Sequence, residues 1–65
     1  MCLASVYRAD NSKKIICDKV TYISFCNDGK TIVFEDLFGT ITKFNGSIDS
    51  IDLKNNVVRV KSEDK

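Results

Sequence analysis

Apolar and polar positions along the chain recur with a period of two rather than 3.6. The runs CLASVYR (2–8), KKIIC (13–17), VTYISFC (20–26), KTIVFE (30–35), GTITKF (39–44) and NVVRVK (56–61) are short and rich in Val, Ile, Thr, Tyr and Phe. β-branched and aromatic side chains suit a pleated, half-buried surface, so each run predicts a strand. Between them RADNSK (8–13), NDGK (27–30) and KNNV (54–57) read as turns. Asp28-Gly29 and Asn55-Asn56 tolerate the positive φ that tight hairpins need. A hairpin about Asp28-Gly29 lays Ile23 and Phe25, together with Ile32 and Phe34, against one core. SIDSIDL (47–53) fits neither period: Ile48, Ile51 and Leu53 mark a bent strand or a single helical turn. Gly39 and Gly46 bracket a strand, where glycine permits the sharp bends that curl a small sheet.

About six short strands in 65 residues, with no room for a long helix, predict an all-β fold. The expectation is one domain over residues 1–65, a small antiparallel barrel or curled sheet of the SH3-like or Sm-like kind, frayed at the C-terminal KSEDK. A chain this short buries only about 60% of the surface its unfolded form exposes, and small domains commonly add disulfides, a metal or a partner subunit. Cys2, Cys17 and Cys26 are odd in number, form no CxxC pair and have no histidine to complete a zinc site. A homo-oligomer is the expected support.

Ten basic and nine acidic side chains leave a net charge of +1, and no basic run exceeds Lys13-Lys14. Nothing draws the chain electrostatically to phosphate backbones. No basic segment leads into an apolar one at the start, and no apolar stretch nears ~20 residues, so neither secretion nor membrane spanning is indicated. The expected location is cytoplasmic, with reduced thiols. Enzymatic readings fare poorly: there is no histidine, no nucleophile set beside a base, and no Gly-rich phosphate cradle. Glu35 and Asp36 are adjacent in a strand and point to opposite faces, and Asp49 and Asp52 fall where turn carboxylates are common. All four read as solvated surface charge.

The start, MCLAS, carries the distinctive chemistry. Methionine before a small residue is readily removed, which leaves Cys2 with a free α-amine. Amine nitrogen and thiolate sulfur then close a five-membered chelate ring, with the Leu3 amide nitrogen as a further donor if deprotonated. Planar nitrogen and sulfur donors suit Ni(II) or Cu(II). The amine and thiol, with reference pKa values of ~7.7–8.0 and ~8.5, can yield their protons to a metal near neutrality. Two chelates across a dimer two-fold give an N2S2 set and one metal per dimer. The competing reading of any single cysteine in an apolar strand is a small buried hydrophobe, and Cys17 and Cys26 are read that way.

MCLASVY, DKVTYI (18–23), DLFG (36–39) and IDLKNN (51–56) fall in the order and spacing of a known group. The sequence resembles the CooT family of small nickel-binding proteins, accessories associated with carbon monoxide dehydrogenase maturation. The resemblance implies a homodimer of small all-β subunits holding one Ni(II) per dimer through Cys2, as a nickel metallochaperone or nickel store. Other members of the wider family are labelled predicted RNA-binding proteins, in keeping with an Sm-like fold. An RNA-binding module would present Tyr7, Tyr22 or Phe38 as stacking platforms. A purely structural interaction protein would pair an edge strand with another chain.

Overall fold

The computed structural model describes residues 3–62, the side chains of 11–13 excepted. Five strands form: β1 (Ala4–Arg8), β2 (Asn11–Phe25), β3 (Thr31–Asp36), β4 (Ile41–Asp52) and β5 (Val57–Ser62). They close into a barrel in chain order. Successive strands pair antiparallel, and β1 meets β5 in parallel. An up-and-down ring of odd strand number ends on a strand running the way it began, so this closing pair has to be parallel.

The count is five rather than about six because KKIIC and VTYISFC join into β2. The register passes from Val6↔Cys17 to Ala4↔Val20, which places one extra residue on β2. Such a bulge bends a strand and interrupts its alternation. Lys19 takes it up at φ 54. Cys17 and Val20, three apart, therefore both point into the core, at 8% and 3% exposure. Beyond the bend β2 changes partner, from β1 to β3.

β4 turns a second corner, since Ile41–Asn45 pairs with β3 and Gly46–Asp52 with β5. A Cβ at Gly46 would collide with the Lys61 backbone carbonyl and lie 2.8 Å from the Phe44 ring. Only glycine lets the two backbones approach this closely. SIDSIDL is thus the bent strand of the two alternatives, with a register shift between Ile48 and Ser50.

Both predicted hairpins form, with Gly29 at φ 73 and Asn56 at φ 58. RADNSK shrinks to the turn Ala9-Asp10, across which Arg8 and Asp10 pair at 3.0 Å. The core is Val6, Cys17, Val20, Ile32, Phe34, Val58 and Val60, walled by Ala4, Ile16, Ile23, Phe44 and Ile48. Ile23 and Phe25 oppose Phe34 and Ile32 in register as expected. Phe25 nevertheless stays 63% exposed. It is the last residue of β2, at the open mouth of the barrel, and the polar turn beyond it supplies no cover.

Candidate functional site

The chain enters the barrel at Ala4, and backbone and side-chain bonds fix that entry from two sides. Ser5 N donates to Asn56 O at 2.9 Å, tying β1 to the β4–β5 turn. Ser5 Oγ donates to Asp18 Oδ1 at 2.8 Å, and the same oxygen accepts from Lys19 N at 2.8 Å. These bonds hold the Asp18 carboxyl below the usual range, the Ser5 hydroxyl acting most strongly. Lys19 O in turn accepts from Leu37 N at 2.9 Å, which brings the β3–β4 turn to the same end.

That turn is held rigid by Asp36, whose Oδ1 accepts from Phe38 N and Thr40 N, both at 2.9 Å, with Gly39 at φ 87. The β4–β5 turn repeats the device. Asp52 Oδ1 accepts from Lys54 N at 3.0 Å and Asn55 N at 3.1 Å, and its Oδ2 accepts from Asn55 Nδ2 at 2.9 Å. The Asp52 carboxyl lies below its ordinary range, the Asn55 side chain being the main cause.

Beside the β4–β5 turn lies an open groove of about 290 Å³, lined by Ala4, Val20, Tyr22, Ile51, Leu53 and Val57 among others. Large apolar side chains crowd its surroundings and remain in solvent: Tyr22 59%, Ile51 54% and Leu53 82% exposed, with Leu37 51%, Phe38 78% and Ile41 51% on the neighbouring β3–β4 side. Tyr22, Glu35 and Ile41 form one row across β2, β3 and β4, so the two groups are continuous. Exposed apolar collections of this kind mark interaction surfaces.

Cys2, the residue singled out as a nickel ligand, lies outside the described residues. Cys17 is a buried free thiol within the core, as expected of a small hydrophobe, whereas Cys26 is a half-buried one beside the β2–β3 turn and outside the core cluster. Among the described residues no three His, Cys, Asp or Glu side chains gather into a metal-sized group. Glu35 and Asp36 are half-buried and Asp49 exposed. Asp36 and Asp52 do more than the solvated-charge reading assigned them, because each closes a turn. Of the three aromatic platforms, Tyr22 and Phe38 are exposed and Tyr7 is half-buried. Every strand has two neighbours in the ring, so among the described residues no full-length edge is open to another chain. A second cavity of about 400 Å³, lined by Ala9, Asp10, Asp49, Lys61 and Ser62, is of mixed charge. No described helix is long and apolar enough to cross a membrane.

Sequence reasoning missed the apolar collar around the chain entry. Its signal was present in Leu37-Phe38 and Leu53, large apolar residues sitting in turns where no strand period could bury them.

A family model described as CO dehydrogenase accessory protein CooT matches residues 1–61 of the 65. No curated protein and no solved structure matches the chain.

Proposed function

The chain belongs to the CO dehydrogenase accessory protein CooT family, and we propose that it is a nickel metallochaperone whose homodimer holds one Ni(II) through the two Cys2 thiolates. The observation that supports this most is the extent of the family match, which includes the MCLAS start. Nickel here is cargo. Its donors fit the ion: each processed chain offers an amine and a thiolate that chelate together, and the two-fold doubles them.

The chain's own part is to fix the donors and let them deprotonate. Ser5, tied at N–H to Asn56 and at Oγ to Asp18, anchors the start of β1, three residues after Cys2 in sequence. The barrel over residues 1–65 works as one domain, in the cytoplasm, as a binding protein and not an enzyme. CO dehydrogenase is the proposed recipient; a nickel store would bind the same ion without passing it on.

Metal analysis of native, untagged protein is the test. One nickel per two chains, transferred to apo CO dehydrogenase on mixing, is the expected result. Nickel bound but never transferred would make the protein a store, and no nickel bound would overturn the reading.

A further inference from the structure

We propose that Asn45-Gly46 is a latent self-modification site. The Asn45 side-chain amide is lost through a cyclic imide when the β4 corner opens locally, and is preserved while the corner stays closed.

The chemistry belongs to the dipeptide. Of Asn11, Asn27, Asn45, Asn55 and Asn56, only Asn45 precedes a glycine. A backbone nitrogen can attack the side-chain carbonyl carbon of an asparagine just before it. The new N–C bond closes a succinimide ring, the Cγ–Nδ2 bond breaks, and ammonia leaves with the proton given up by the attacking amide. Water then opens the ring at either carbonyl, which leaves aspartate or isoaspartate. A glycine nitrogen attacks most readily because no Cβ crowds its approach.

The corner cannot exchange this glycine for a safer residue. A Cβ at Gly46 would meet the Lys61 backbone carbonyl, so the fold keeps a reactive pair in place and has to restrain it. The nucleophile is restrained first: the Gly46 N–H, which must give up its proton to attack, donates to Lys30 O at 2.8 Å. The electrophile is restrained by Thr31, whose Oγ1 donates to Asn45 Oδ1 at 3.1 Å. The peptide between them is restrained by its ladders, in which Asn45 pairs with Thr31 and Gly46 with Ser62. Ring closure would draw that peptide out of its extended form and away from both partners. Gly46 is buried but the Asn45 side chain is exposed, so water reaches the second step once the first has occurred. Lys30 and Thr31 are adjacent at the entry to β3, and a local opening there frees nucleophile and electrophile together.

The product resists re-closure. A carboxylate at position 45 faces Asp28 across Thr31, whose hydroxyl already donates to Asp28 Oδ2 at 2.9 Å. Isoaspartate also adds a methylene to the β4 backbone and spoils the register of both ladders.

The experiment incubates the full chain at mildly alkaline pH, folded and in guanidinium chloride, with peptide mapping by mass spectrometry to follow amide loss and to separate aspartate from isoaspartate. Three variants accompany wild type, each checked for folding by circular dichroism. Thr31→Val removes the hydroxyl held against Asn45, Asp52→Ala weakens a turn at the other end of the barrel, and Asn45→Gln has a longer side chain that cyclises poorly. Wild type is expected to react at Asn45 at least about tenfold faster unfolded than folded. Thr31→Val should speed the folded reaction several-fold and leave the unfolded rate unchanged, Asp52→Ala should have a smaller effect, and Asn45→Gln should keep its amide. Equal rates in folded and unfolded wild type, or loss at Asn45 no faster than at Asn55 in the unfolded chain, overturns the assignment. Acceleration by Asp52→Ala equal to that by Thr31→Val overturns the local opening, since reaction would then follow global unfolding.

Discussion

The barrel's two ends are built alike in backbone and unlike in what they show to water. At the Asp28-Gly29 end, Asp28 Oδ1 accepts from Lys30 N at 2.8 Å and Thr31 N at 3.0 Å, while Oδ2 accepts from Thr31 Oγ1 at 2.9 Å. Asp36 and Asp52 close the turns near the chain entry by the same carboxylate-to-amide scheme. The difference lies in the residues those turns carry. Asn27, Asp28 and Lys30 occupy one end, Leu37, Phe38 and Leu53 the other. Turn closure does not require apolar tips, so the fold alone gives no reason for the exposed Leu37, Phe38 and Leu53 at that end.

The sharpest break of the comparison is at the metal. Cys2→Ser should abolish Ni(II) binding, whereas Cys17→Ser and Cys26→Ser should leave it nearly intact, as measured by charge-transfer absorbance during titration. In the proposed site only Cys2, once Met1 is removed, joins a thiolate to an α-amine. Cys17→Ser should still lower stability by about 1–3 kcal/mol, because it places a hydroxyl in an apolar core. Equal loss of nickel in all three variants would mean a three-thiolate site.

Gly46→Ala tests whether the two ends depend on one joint. The added Cβ meets the backbone of β5 at Lys61, which cannot swing aside as a side chain would. A cost of about 3 kcal/mol or more is expected, enough to unfold much of a domain whose core supplies only ~3–5 kcal/mol. Urea unfolding followed by circular dichroism measures it, and a midpoint near wild type would show that the corner relaxes freely.

Much of this architecture was legible because local signals and long-range pairing agree. Asp28-Gly29 and Asn55-Asn56 announced their hairpins, and Val58 and Val60 or Ile32 and Phe34 announced the inward face by alternation. The corners were not legible. The bulge at Lys19 depends on Asp18 finding Ser5, thirteen residues earlier, and the Gly46 corner on Lys61, fifteen residues later. No window of local sequence contains those contacts. Cys2 is singled out by sequence chemistry and lies outside the described residues, whereas the apolar collar was not legible, since it assembles from strands β2 and β4 and from the β3–β4 and β4–β5 turns.

Acid should separate the two functions of the molecule. Nickel donors must lose protons to bind, so affinity should fall steeply below about pH 6.5. The fold answers to carboxylates instead. Asp18, Asp28 and Asp52 all have folded values below the usual range, held down by hydrogen bonds to the Ser5 hydroxyl, the Lys30 amide and the Asn55 side chain respectively. Their stabilisation is complete above the unfolded value of about 3.9 and is lost as pH falls through the depressed folded values. Protein at pH 5 should therefore be folded and metal-free. Absorbance and far-ultraviolet circular dichroism recorded together from pH 8 to 3 should show two transitions, and coincident loss of both signals would refute the separation.

The smallest expected effect compares the ends directly, through Asp28→Ala and Asp52→Ala. Each removes a carboxylate that accepts from two turn amides and one side chain, so each should lower the unfolding midpoint by a similar amount. Their effects on nickel should differ. The Asp52 turn carries Asn56, whose carbonyl fixes Ser5 N, so loosening it disturbs the start of β1, the described segment nearest Cys2 in sequence. A several-fold loss of nickel affinity is expected for Asp52→Ala, and none for Asp28→Ala at the far end. Titration of both variants well below their melting temperatures keeps unfolding out of the measurement. Equal loss in the two would show that nickel binding follows overall stability, and the distinction between the ends would then have no functional content.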